Sequence, residues 1–187
     1  MPDKEESKKA RIRAIRYLAY RDRSRHEIIC YLKKKNFSSN AVDKTLVFLE
    51  NNNYIDDQRF ATQFGKFRIE NKKIGKLRLE QELKIKGITK TIVANTLSSL
   101  YKKYNEKEMA MSCAKKKLLS SSSSDPEKER GRLARFLNRK GFPTSIVYEV
   151  VTSLIEHVSN NDLSPHSLST GKNLLKLNSL ANRINQG

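Results

Sequence analysis

Two adjacent carboxylates, a His-x-x-x-Cys pair and a Gly-Lys dipeptide are the residues of this chain whose types and spacing come nearest to chemistry. Asp56-Asp57 could act as an acid–base or metal pair only if both side chains faced one point, and neighbours at a helix start do not. Between Tyr54-Ile55 and Gln58-Arg59-Phe60 they read as a helix N-cap and a first-turn acid. His26-Glu27-Ile28-Ile29-Cys30 has the outline of a zinc-protease helix, but Cys30 stands where the second histidine belongs and no further ligand pair is in view. A core cysteine beside a surface histidine is the expectation there. Ser169-Thr170-Gly171-Lys172 ends like a phosphate loop, yet His166 occupies the place of the leading glycine and the strand–loop–helix frame is missing. No nucleophile elbow, paired CxxC or dinucleotide fingerprint follows. The expectation is a protein that is not an enzyme, with no catalytic residue, cofactor or metal.

The remaining chemistry is charge. Thirty-eight Lys and Arg against twenty Asp and Glu leave a formal net of +18. Self-repulsion of that size is explained by an anionic partner: nucleic acid, an acidic protein surface or an acidic membrane. The candidate contacts are Arg21, Arg23 and Arg25, then Lys66, Arg68, Lys72, Lys73, Lys76, Arg78, Lys84 and Lys86, then Arg132, Arg135, Arg139 and Lys140. Some of these close helices, where a cation complements the helix dipole, but that use does not account for the excess. Tyr17, Tyr20, Tyr31, Tyr101 and Tyr104 lie among them and could stack on bases, although tyrosine more often anchors helices together. No apolar run approaches the roughly 20 residues needed to span a bilayer. The opening Met1-Pro2-Asp3-Lys4-Glu5-Glu6 lacks the apolar core of a secretory signal. Cys30 and Cys113, far apart, read as reduced core thiols. These features predict a cytoplasmic protein with an anionic partner; single- and double-stranded DNA bound through electrostatics, no membrane and a monomeric state are the partner expectations.

The elements that must position these cations repeat. Leu32-Lys33-Lys34-Lys35-Asn36-Phe37 with Val42, Leu46 and Leu49 aligns with Leu83-Lys84-Ile85-Lys86-Gly87-Ile88 with Val93, Leu97 and Leu100. Leu137-Asn138-Arg139-Lys140-Gly141-Phe142 with Val147, Val151 and Leu154 makes the third copy. The period is about fifty residues, in the range of helical repeats. Ile28/Leu32, Leu79/Leu83 and Leu133/Leu137 are i,i+4 pairs on one helix face. Asn36, Gly87 and Gly141 fall where a helix ends in a left-handed residue. Ser38, Thr89 and Pro143 then start the next helix. An earlier helix precedes each pair, marked by Ile12, Ile15, Leu18 and Ala19, by Phe60, Ala61, Phe64 and Phe67, and by Met109, Cys113 and Leu118. Ser24-x-x-Glu27 is a capping box, and Asp125-Pro126 opens a helix in the third copy.

The reading is an all-α chain of tandem three-helix repeats forming an elongated, curved, basic solenoid. The units run 8–53, 54–104 and 105–158, with a Ser-rich linker at 120–124 and a flexible tail at 159–187 in which Leu174, Leu175, Leu177 and Leu180 could form a short helix.

Tyr17-Leu18-Ala19-Tyr20-Arg21-Asp22-Arg23-Ser24 before His26-Glu27-Ile28 resembles the N-terminal signature of the RecX family. Tyr54-Ile55-Asp56-Asp57-Gln58-Arg59-Phe60-Ala61 resembles its Tyr-hydrophobic-Asp-Asp-x-x-Phe-Ala motif, and Gly75 to Ile88 resembles the segment that ends in Lys-Gly-Ile. With the third repeat the likeness covers about Ile12 to His157; the Ser-rich insertion and the tail depart from it. The resemblance implies three-helix repeats lying in the groove of the RecA–DNA filament and modulating RecA, mainly by inhibiting ATP hydrolysis, strand exchange and co-protease activity. On that reading, replacing Lys72, Lys73, Lys76 and Arg78 with Ala weakens inhibition without unfolding the protein. The residues alone leave two other readings open: a regulator that binds duplex DNA directly through a helix-turn-helix-like pair, and a helical scaffold for an acidic protein.

Overall fold

Nine helices in three sets of three account for the described part of the chain. The structure is a computed structural model that describes residues 2–120 and 125–162, with side chains from 4 to 120 and 125 to 156. Helices α1 (Pro2–Leu18), α2 (Arg25–Lys34) and α3 (Ser39–Asn51) form the first unit. Helices α4 (Asp57–Lys72), α5 (Lys76–Ile85) and α6 (Lys90–Lys103) form the second. Helices α7 (Glu106–Leu119), α8 (Pro126–Lys140) and α9 (Thr144–Asp162) form the third. Residues 121–124 of the Ser-rich linker lie outside the described residues, as does everything after Asp162, including Ser169 to Lys172 and the Leu174–Leu180 segment.

Local chemistry sets the helix ends. The Ser24 hydroxyl accepts from the Glu27 N–H while the Glu27 carboxylate accepts from the Ser24 N–H, a complete capping box. Asp56 caps α4 by accepting from the Arg59 N–H at 2.9 Å, and Asp125 caps α8 with Pro126 in the first turn. Asn36, Gly87 and Gly141 have φ of 62°, 75° and 83°, the left-handed conformation that ends each second helix. The second helices then bury their i,i+4 pairs completely: Ile28, Leu32, Leu79, Leu83, Leu133 and Leu137 are all at 0% exposure.

The first helices follow the expectation only in part: Phe60, Ala61, Met109 and Cys113 are buried, whereas Ile12, Phe67 and Ala19 are exposed. The buried positions common to the three are Ala10 and Ala14 in α1, Ala61 and Gly65 in α4, and Ala110 and Ala114 in α7. Each is a pair of small residues one turn apart, at equivalent places in the three units. Small side chains let the first helix approach the third closely: a Cβ on Gly65 would stand 2.5 Å from Leu100 Cδ1. Cys30 also departs from the expectation. It is exposed, with Sγ 3.4 Å from His26 Nε2, because Ile28 and Leu32 take the inward face of α2 and Cys30 falls between them in sequence, on another face. Cys113 is buried.

Consecutive units join end to end through their second helices. The Gly75 N–H, at the start of α5, donates to the Lys140 carbonyl at the end of α8 (2.8 Å), and the Leu77 N–H donates to the Gly141 carbonyl (3.0 Å). One unit earlier, the Ser24 hydroxyl at the start of α2 donates to the Lys86 carbonyl at the end of α5 (2.6 Å). Orphan carbonyls at one helix end are thereby satisfied by donors at the next helix start. The close approach requires glycine. A Cβ on Gly75 would lie 2.4 Å from the Gly141 carbonyl oxygen, and one on Gly87 would lie 2.3 Å from His26 Cβ.

The two joints differ in what lies beneath them. Units two and three share one continuous apolar core, running from Phe60 to Ile155. Unit one keeps its own, from Ala10 to Ile55. The first joint is therefore mainly polar, and the second is apolar with a polar seam.

Candidate nucleic-acid interface

Both joints gather basic residues, because helix C-termini carrying cations meet there. At the first joint the charges are largely spent on neighbours. Glu27 sits between Arg21 and Lys86, each at 2.8 Å, so one carboxylate ties the first unit to the second. Arg25 pairs with Glu50 at 2.9 Å, and its backbone N–H donates to Asp57 at 2.8 Å. Asp57 is thus a cross-unit acceptor as well as a first-turn acid, and burial pushes its pKa up against that hydrogen bond. Lys84 is held by Glu80 at 2.5 Å. The Arg23 guanidinium stands over the Tyr17 ring, 4.0 Å from its centroid.

Burial of Glu27 favours its protonated form, but the hydrogen bonds from Arg21 and Lys86 and the Ser24 N–H outweigh that, lowering its pKa from 4.5 to about 2. A depressed carboxylate pKa contributes stability that is complete above about 4.5 and is lost as pH falls toward 2. In urea titrations, the stability gap between the parent protein and Glu27→Gln should narrow steadily through that window. A gap independent of pH would mean that this carboxylate contributes no net ionic attachment.

The second joint leaves its charges open. Three consecutive carbonyls at the end of α4 receive side chains from three other helices. Lys140 Nζ donates to the Lys72 carbonyl (2.7 Å), Cys113 Sγ lies 3.8 Å from the Lys73 oxygen, and the Tyr101 hydroxyl donates to the Ile74 oxygen (2.9 Å). Burial raises the Cys113 pKa, with Lys140, Lys73 and Lys116 opposing that rise, which places those three ammonium groups around one thiol. Lys117 and Lys140 both stand over the Phe136 ring, at 6.0 and 5.5 Å. Lys72, Lys73, Lys116 and Arg139 are exposed and, among the described residues, make no ion pair. The Lys76 backbone N–H donates to Glu106 at 2.6 Å, and that carboxylate also feels the Lys76 charge.

Of the sequence-predicted contacts, the second joint brings together Lys72, Lys73, Lys76, Arg139 and Lys140. Arg68 is not available: it makes two 2.6 Å bonds to Glu82 and is a unit-two brace. Arg78 shares Glu82 with Arg68, at 3.0 Å, so removing its side chain also breaks an ion pair within α5. The expectation that Arg78 can be replaced alongside the lysines purely as a charge therefore changes. Arg132 pairs with the buried Glu129 at 3.1 Å, Arg135 lies exposed beside Gly131, and Lys66 is exposed on α4. Lys116 was missed in the sequence. Its only signal was the run Lys115-Lys116-Lys117 in a helix whose inward face carries Cys113.

Comparison with known proteins fits this geometry unit by unit. Sequence models of the RecX first, second and third three-helix domains match residues 10–49, 56–97 and 105–151. A regulatory protein RecX from Chlorobium phaeobacteroides (strain BS1) is 37% identical over 149 residues, covering 80% of this chain and 95% of that one. The regulatory protein RecX of Geobacillus sp. (strain WCH70) is 29% identical, covering 80% of this chain but 55% of its own length. Among solved structures, the RecX crystal structure from Lactobacillus salivarius aligns with a TM-score of 0.69 at 22% identity, over 80% of this chain and 97% of that one, a likeness of fold. With three units matched in order and one relative matched almost end to end, this chain belongs to the RecX family of regulatory proteins.

Proposed function

We propose that the chain is a regulator, mainly an inhibitor, of a RecA-type recombinase, acting from the groove of the recombinase–DNA filament. Family membership supports this reading, and the observation that carries the placement is the set of unpaired cations at the second joint. A groove that contains DNA and an acidic protein wall is the surface to which such a row would be drawn. Cations already neutralised by Glu27, Glu50 and Glu80 at the first joint contribute less to that attraction. The shared core under units two and three keeps the open cations in fixed register, as a preorganised contact requires.

The test is ATP hydrolysis by the cognate recombinase on single-stranded DNA, titrated with this protein at fixed moderate salt. Inhibition well below one protein per recombinase is the expected result and points to action on the filament. Unchanged hydrolysis together with tight binding to bare duplex would replace this reading with that of a direct DNA-binding regulator.

A further inference from the structure

We propose that the corner between α1 and α2 is a base-stacking platform for single-stranded nucleic acid, built from Tyr20 and from Arg23 lying on the Tyr17–Tyr31 stack. The Tyr17 and Tyr31 rings are 4.0 Å apart and within 9° of parallel. The Arg23 guanidinium carbon is also 4.0 Å from the Tyr17 centroid. Two groups that close to one ring cannot share a face, so Arg23 and Tyr31 sandwich Tyr17. The result is a layered column of guanidinium, phenol and phenol.

Arg23 differs from its neighbours Arg21 and Arg25, each of which is neutralised by a carboxylate. Its Nε is buried without a hydrogen-bond partner, and among the described residues its charge is met by the Tyr17 ring and by no carboxylate. A guanidinium without a carboxylate partner offers a base a stacking surface and a phosphate a fork of donors. Tyr20, three residues beyond Tyr17, is 85% exposed, more than any other large apolar or aromatic side chain among those described. It makes no hydrogen bond, ring contact or ion pair there. A packing role therefore accounts for Tyr17 and Tyr31 but not for Tyr20. An exposed ring three residues from an unneutralised guanidinium, in a corner that also carries the exposed Arg16 and Arg21, combines the π face and positive field used to hold unpaired bases. Paired bases hide their faces within the duplex, which selects single strands as the ligand. The inference concerns the protein alone and is tested without any recombinase, so its outcome leaves the proposed filament role untouched.

The experiment measures binding of labelled oligothymidylate and of an abasic backbone of equal length across a salt series. The full chain, Tyr20→Ala and Arg23→Lys are compared. The parent protein is expected to prefer oligothymidylate by about tenfold, in keeping with one stacked base. Tyr20→Ala should remove most of that preference while leaving the salt slope unchanged, since no charge is lost. Arg23→Lys keeps the charge and loses the plane, and should also reduce the preference. Equal affinity of the parent protein for both oligomers would overturn the proposal. So would a preference that survives Tyr20→Ala, or a loss that appears only as a change in salt slope.

Discussion

Replacing Gly75 with alanine should cost about 2 kcal/mol or more of stability, the range expected when a methyl group is forced into filled space. The affected atoms are backbone: an added Cβ would lie 2.4 Å from the Gly141 oxygen, 2.5 Å from its carbonyl carbon and 2.5 Å from the Phe142 nitrogen. None of these can move without parting α5 from α8. The backbone angle is not the cause, because Gly75 has φ of −82°, which any residue adopts. Alanine is a poorer N-cap than glycine, so Gly75→Ser is the control. Serine caps well, as Ser24 does at the equivalent place, but it still carries the offending Cβ. Both variants should lower the urea midpoint and raise hydrogen exchange in units two and three. Exchange at Ile28, Leu32 and Leu46 in the separate first core should stay as it was. A Gly75→Ser protein as stable as the parent would show that the contact relaxes freely and that the joint is looser than its hydrogen bonds imply.

Exchanging Lys72, Lys73, Lys116 and Arg139 for glutamine should produce the largest change in nucleic-acid affinity. Glutamine keeps much of the side-chain length and removes only the charge. If all four contact phosphates, the single-strand salt slope falls by about 0.7 for each, close to three in sum. Between 50 and 200 mM salt the parent should then lose roughly fifty-fold more affinity than the variant. The same exchange at Arg21 and Arg25 should move the slope much less, because their charges are already matched by Glu27 and Glu50. Equal slopes for both sets would place the anion elsewhere. Thermal unfolding checks that the variant is folded, and these four residues anchor no ion pair that would be broken among those described.

Local rules carried well from sequence to structure. The Ser24–Glu27 box, the Asp56 cap and the left-handed turns at Asn36, Gly87 and Gly141 each depend on a few neighbouring residues, and each forms. The buried i,i+4 pairs of the second helices are equally legible, because large aliphatic residues at helical spacing leave few alternatives. The first helices misled for a related reason. Apolar bulk points to Ile12 and Phe67, which are exposed, while Ala10, Ala14 and Gly65 are buried beside the expected Ala61, and their smallness is informative only once a second helix lies against them. Charge partners were hidden by separation along the chain. Lys86 and Glu27 are far apart in sequence, so which lysines are neutralised and which remain open depends on packing. The cluster of Lys73, Lys116 and Lys140 around Cys113 is of the same kind.

The end-to-end joint is a heterologous contact, one surface meeting a different one, and such contacts can continue between molecules unless at least one of the two terminal surfaces is unsuited to it. Each outer surface here differs from the internal joints in its own way. At one extremity Asn36 replaces the glycine of the internal joints, so its Cβ occupies space that a seated neighbour would need. At the other, the place of Ser24 and Gly75 falls to Glu129, where α8 has already begun at Pro126 and the Glu129 N–H is committed to the Asp125 carbonyl. The coupling that repeats between the described units is thus of a kind that could extend from copy to copy, and the outer surfaces of the first and third units differ from the internal ones at the residues it uses.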